Sequence, residues 1–183
     1  MIILASHSPR RRELLEKLNI PFTVRVADVD ETMDRTLPLE EAVARLSYRK
    51  AQAVHHEPED IVIAADTIVV LGDTVLGKPR DEQDALEMLK SLSGRSHQVM
   101  TGVTVLQGEK FLCHTEITEV FFRSLSEEEI YAYIATKDPM DKAGSYGIQN
   151  GGALFVEKIN GDYFNVVGLP VCRLGLMLKE FRV

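Results

Sequence analysis

The chain has no tryptophan and only two cysteines among its 183 residues. Cys113 and Cys172 form neither a C-x-x-C pair nor a crowded framework. A disulfide scaffold is therefore excluded, and two reduced thiols of a cytosolic protein are expected. Positive charge is in deficit, with 21 Lys and Arg against 28 Asp and Glu and a formal net charge of −7. That balance argues against non-specific binding to nucleic-acid backbones or anionic membranes, but it leaves room for a local basic pocket. Few aromatics and no tryptophan weigh further against RNA recognition, which relies on base stacking. Long hydrophobic runs are missing too. The longest, Ile61 to Leu71, is broken by Asp66 and is far too short for a bilayer. Met1 to Ala5 is too short for a signal peptide, and its positive charges follow it instead of preceding it. No Ser-His-Asp order or zinc spacing is present, and His55-His56 reads as a polar helix end. What remains, 45% hydrophobic and 27% charged residues, is the profile of a cytoplasmic globular protein. Its length predicts one domain over residues 1–183, at most two lobes on one core.

Apolar β-branched runs alternate with amphipathic helical patterns, which predicts an α/β or α+β fold. Strands are expected at Ile2–Ala5, Phe22–Val26, Ile61–Ala65, Ile68–Leu71, Thr74–Leu76, Val99–Leu106, Phe111–Phe122 and Ala153–Val156. Helices are expected after Ser8, over Leu39–Val54 and Asp81–Leu92, behind a Ser126-Glu129 capping box, and from about Pro170. Residues 138–152 read as a glycine-rich loop.

Several constellations could carry chemistry. Ser6-His7-Ser8-Pro9-Arg10-Arg11-Arg12 lies between the first strand and first helix, with Ser8 as N-cap and Pro9 at N1. Three arginines at the positive end of a helix dipole are either a solvated basic start or the cradle of an anion; we favour a phosphate. Asp66, directly after a buried apolar run, is either a general base or metal ligand at a strand's carboxyl end, or an aspartate capping a turn. Lys50 falls on the apolar stripe of its helix and must snorkel, pair with a carboxylate or meet an anionic ligand. Val29-Asp30-Glu31 offers oxygen ligands for a hard divalent cation, or is simply a solvated acidic loop. Gly72 to Lys78 matches G-x-x-x-x-G-K, but Pro79 stands where a P-loop needs a hydroxyl. The segment reads as a hairpin, with Lys78 still able to act on a phosphate as a point charge. Asp141-Lys142-Ala143-Gly144 and Tyr146-Gly147-Ile148-Gln149 either form a structural loop or approach a ligand, Gln149 offering both a donor and an acceptor to a base edge.

Taken in order, Leu4-Ala5-Ser6, Ser8-Pro9-Arg10-Arg11, Val29-Asp30-Glu31, Lys50-Ala51, Ala65-Asp66-Thr67, Gly77-Lys78-Pro79, Leu92-Ser93-Gly94, Asp141-Lys142-Ala143-Gly144 and Val167-Gly168-Leu169-Pro170 resemble the Maf family of nucleoside triphosphate pyrophosphatases nearly end to end. The resemblance implies a mixed twisted sheet with flanking helices, akin to the inosine-triphosphate pyrophosphatases, with two lobes around a nucleotide cleft. It implies hydrolysis of a nucleoside triphosphate to monophosphate and pyrophosphate with a divalent metal, magnesium first, manganese or cobalt as alternatives. Asp66 looks like the proton acceptor, and Arg10, Thr67 and Gln149 look like residues that select the base. Glu31 and Asp66 would hold the metal, while Ser8, Arg10, Arg11, Lys50, Lys78 and Lys142 would serve the triphosphate. Ala65-Asp66-Thr67 with Tyr146-Gly147-Ile148-Gln149 looks like the dTTP and UTP branch, whereas the 7-methyl-GTP branch tends to carry Ser-Asp-Gln. The implied partner is a free nucleotide, with neither nucleic acid nor membrane, and a homodimer comes by resemblance alone. The competing class is a nucleotide-binding regulator of septum formation with little turnover.

Overall fold

The computed structural model describes residues 1–54 and 56–183; the expectation for His55 lies outside them. In chain order the elements are β1 (Ile2–Leu4), α1 (Pro9–Glu16), β2 (Thr23–Val24), α2 (Leu39–Ala53), β3 (Ile61–Leu71), β4 (Thr74–Leu76), α3 (Glu82–Leu92), β5 (Ser96–Gln107), β6 (Lys110–Phe122), α4 (Glu127–Ala135), β7 (Val156–Asn160), α5 (Tyr163–Val167) and α6 (Val171–Lys179). Three short 3-10 turns occupy residues 138–154. The described strands make one mixed sheet in the order β2-β1-β3-β5-β6-β7, with β4 paired to β3. β1 runs parallel to both β2 and β3, Ile3 lying opposite Thr23 and Val62. β4 is antiparallel to β3, and β7 to β6.

The chain divides into two compact units. The first comprises Met1–Thr67, Thr101–Glu116 and Phe164–Val183; the second comprises Ile68–Met100 and Ile117–Tyr163. β3, β5 and β6 each contribute to both.

In the first unit α2 buries Val43, Leu46, Ser47 and Ala51, the 3- and 4-residue spacing of one helix face. β5 approaches that helix closely at Gly102. A Cβ there would lie 2.4 Å from the Val43 carbonyl oxygen, so only glycine lets helix and strand meet. Two residues along, the buried Ser47 and Thr104 hydroxyls satisfy each other at 2.7 Å. Just past α2, His56 Nδ1 lies 2.7 Å from the Val54 carbonyl oxygen, making the expected polar end.

The second unit forms around α3 and α4. Asp81 caps α3, and Ser126 and Glu129 complete the expected capping box of α4. Below them His97, Phe122, Tyr146, Phe155 and Tyr133 interlock edge to face, with centroid separations from 4.8 to 6.0 Å.

Four elements differ from expectation. Ile61–Ala65 and Ile68–Leu71 are one strand of eleven residues, because main-chain pairing continues regardless of the polar side chains of Asp66 and Thr67. Asp66 therefore sits within a strand and not at its carboxyl end. The strand expected at Phe22–Val26 shrinks to two exposed residues at an edge. Gly151–Leu154 forms a 3-10 turn, closed by Phe155 N–H on the Gly152 carbonyl at 3.1 Å, and β7 starts only at Val156. A short helix, α5, precedes the expected closing helix.

Candidate functional site

Side chains alternate across a strand, and on β3 this separates two groups. Val62 and Ala64 pack with Ala51 and Val54 beside α2, and Asp66 continues that row. Lys50, on the same face of α2, places Nζ 2.5 Å from Asp66 Oδ1 and 2.8 Å from Glu31 Oε1. The Lys50 and Asp66 side chains are each only 15% exposed, so the pair is shielded while Glu31 closes it from the surface. Of the three fates open to a lysine on an apolar stripe, the structure shows pairing. Lys50 engages Oδ1, and Oδ2 lies outside that bond.

Thr67 points to the other side of β3, toward the start of α1. The Arg11 guanidinium donates from Nη2 to Thr67 Oγ1 at 3.0 Å and from Nε to the Gly168 carbonyl at 2.9 Å. Its Nη1 reaches Ser6 Oγ at 3.4 Å, and its backbone N–H reaches the Ser8 cap at the same distance. Loss of water pushes the Arg11 guanidinium below its ordinary value; Asp66 opposes the shift, Arg10 adds to it and Glu31 opposes it. Gly168 has φ +129°, which disfavours any other residue, and that conformation aims its carbonyl at Arg11. Arg12 is different: it pairs with Glu16 in solvent at 3.3 Å. The three arginines thus divide into a surface ion pair (Arg12), a clamp on Thr67 (Arg11) and a half-buried cation in the first turn (Arg10).

The remaining candidates belong to the second unit. Lys78 is exposed just after β4, and Gly72 stands in the β3–β4 hairpin, so the G-x-x-x-x-G-K segment is no P-loop. Gln149 is exposed in a turn. Lys142, expected at a phosphate, is buried. Its ammonium donates to the Asp138 carbonyl at 2.8 Å, Asp138 Oδ1 at 2.9 Å and Asp141 Oδ1 at 2.8 Å. An ammonium has three protons, and all three are accounted for. Asp138 also accepts from Tyr133 and from Asn150 Nδ2, and the Tyr133 oxygen accepts Gly147 N–H. This network fixes the turn that carries Gln149.

A family model described as Maf-like protein matches residues 1–181. The chain belongs to the Maf family. Among its relatives, a protein of Geobacillus sp. (strain WCH70) named dTTP/UTP pyrophosphatase is 54% identical over 173 residues, 94% of this chain and 93% of that one. A protein of the same name from Bacillus cytotoxicus is 54% identical over 181 residues, 98% of this chain and 94% of that one. Among solved structures, the Ham1 protein of Staphylococcus aureus aligns over 100% of this chain and 99% of its own with a TM-score of 0.54 at 13% identity. A HAM1 protein from Coxiella burnetii aligns over 98% of both chains with a TM-score of 0.51 at 16% identity. At such identities the likeness is one of fold, and that fold is the mixed α/β sheet the Maf resemblance implied.

Reading the sequence alone missed Thr101, Asn165 and Tyr133 as members of polar networks. Thr101 left a faint signal, a hydroxyl inside the apolar run Val99–Leu106. Tyr133 left none, since it fills an apolar helix position.

Proposed function

We propose that this Maf protein hydrolyses dTTP and UTP to the nucleoside monophosphate and pyrophosphate. The observation that carries the reading is the shielded Asp66, held by Lys50 within 2.5 Å and flanked by Glu31. A carboxylate so placed is a rigid base. The named activity of the relatives supports the same chemistry.

In this reading water attacks the α-phosphorus, Asp66 Oδ2 takes its proton, and the bond to the β-phosphate oxygen breaks to release pyrophosphate. Lys50 holds Asp66 by Oδ1 and aims the carboxylate. Arg10, in the first turn of α1, supplies positive charge to the triphosphate, as does the exposed Lys78. Among the described residues no three His, Cys, Asp or Glu side chains gather as a metal site. Two carboxylates do converge on one cation, the Lys50 ammonium. Carboxylate oxygens are the donors that suit a hard divalent ion. Glu31 and Asp66 would hold it, and when bound it would polarise the phosphate. Thr67, with Gln149 and Arg10, selects the base. The partner is a free nucleotide: the net charge of −7 disfavours nucleic acid, and no described helix is long and apolar enough to cross a membrane. A cytoplasmic homodimer belongs to the same proposal.

The test is a panel of common and modified nucleoside triphosphates with magnesium, with phosphate read after a coupled pyrophosphatase. Release of phosphate only when the coupling enzyme is present, with dTTP and UTP leading by kcat/KM, is the expected result. A septation regulator without turnover would bind nucleotide and release nothing. A lead for CTP or 7-methyl-GTP would overturn the base assignment.

A further inference from the structure

Thr67 is part of a directed hydrogen-bond chain. Arg11 Nη2 can only donate, so Thr67 Oγ1 accepts from it at 3.0 Å. On its other side Thr67 Oγ1 lies 2.9 Å from Thr101 Oγ1. Thr101 is fully buried, and it lies 3.2 Å from the carbonyl oxygen of Asn165, which can only accept. A hydroxyl has one proton. If Thr101 gives its proton to Asn165, Thr67 must give its own to Thr101. The other acceptor near Thr67, the Gly168 carbonyl at 3.5 Å, is at the limit of a bond. The proton order is therefore Thr67 to Thr101 to Asn165, with Arg11 donating in at the head.

Thr67 then has no hydrogen left to offer a ligand. One lone pair is taken by Arg11, and one remains. We propose that Thr101, through the Asn165 carbonyl, is a positioning residue that sets base selection by making Thr67 an acceptor only. Such an oxygen repels phosphate oxygens and the bare ring nitrogen N3 of cytosine, and it matches the N3–H of uracil and thymine. The selectivity is thus written into bond direction, two residues removed from the substrate. The inference rests on Thr67 reading the base, as proposed above.

Two experiments test it. With wild-type protein, 3-methyl-UTP, which has no N3–H, is expected to lose at least about tenfold in kcat/KM against UTP, the cost of an unpaired buried group. Undiminished cleavage would overturn the proposal. In Thr101→Val the Thr67 hydroxyl is free to turn and donate to cytosine N3. The UTP to CTP ratio of kcat/KM should then fall about tenfold, mainly through KM for CTP, and Thr101→Ser should restore it. A role confined to stability would lower the melting temperature or scale kcat equally for both nucleotides, leaving the ratio unchanged, and that outcome sinks the idea. Thr67→Val separates the two layers. If it changes the ratio while Thr101→Val does not, the relay is wrong; if neither changes it, Thr67 does not read the base.

Discussion

The Lys50 ammonium lies 2.5 Å from Asp66 Oδ1, and both side chains are 15% exposed. A lysine on an apolar stripe and an aspartate inside a buried strand are each unfavourable alone. Together they compensate each other, with the ammonium on Oδ1 alone.

Asp66→Asn keeps the side-chain shape and removes the base. Turnover of dTTP and UTP should fall at least about 10²-fold, the low end for losing a general base. Binding of a non-hydrolysable triphosphate, followed by calorimetry, should persist. A folded variant with near-normal turnover would remove Asp66 from the mechanism.

How far the sequence foretold this site differs by residue. Lys50, Asp66 and Glu31 were legible because each breaks a local rule: a charge on an apolar stripe, a charge in an apolar run, an acid after a strand. The capping box at Ser126 and the β3–β4 hairpin were legible from short-range chemistry. The continuity of β3 was not, because a polar pair inside a strand looks like a break until main-chain partners on both sides are known. Lys142 shows the same limit. Its type suggests a phosphate partner, and only the fold shows Asp138 and Asp141 at its three protons.

Gly102 should tolerate no side chain. A methyl there would meet the Val43 carbonyl at 2.4 Å, a main-chain atom that can move only with α2. Gly102→Ala should cost about 1–3 kcal/mol, the usual range for overpacking, read as a lower urea midpoint with an unchanged slope. Unaltered stability would show that α2 and β5 can separate at little cost.

His97 supplies a pH dependence of stability. It is 2% exposed, bonded through Nε2 to Tyr146 at 2.7 Å, and burial pushes its imidazole down to about 4. The unfolded chain takes a proton on this ring near pH 6.5, while the folded one resists until about pH 4. The stability from a neutral His97 is therefore complete above pH 6.5 and is lost as pH falls toward 4. Between pH 7.5 and pH 5 the loss should be on the order of 2 kcal/mol. His97→Gln should flatten that slope in urea titrations at the two pH values. An equal slope in the variant would place the acid sensitivity elsewhere.

Lys142 is the residue whose expected and observed roles diverge most, and one substitution separates them. If its task is to hold the turn around Asp138, Lys142→Met leaves a carboxylate that is 16% exposed without its cation, beside a more exposed Asp141. Breaking a buried pair from one side costs about 3–5 kcal/mol, and the exposure of Asp141 reduces this to about 2–3 kcal/mol. The melting temperature should drop, and base selection should loosen, because the turn bearing Gln149 loses its anchor. The KM for UTP should then rise more than that for the other nucleotides. If Lys142 instead grips phosphate, stability should hold while KM rises about tenfold or more for every triphosphate, since all share that group. Thermal unfolding and the same nucleotide panel, run on one variant, decide between them. A stable Lys142→Met protein with uniformly raised KM would mean that the three internal bonds are exchanged for substrate during turnover.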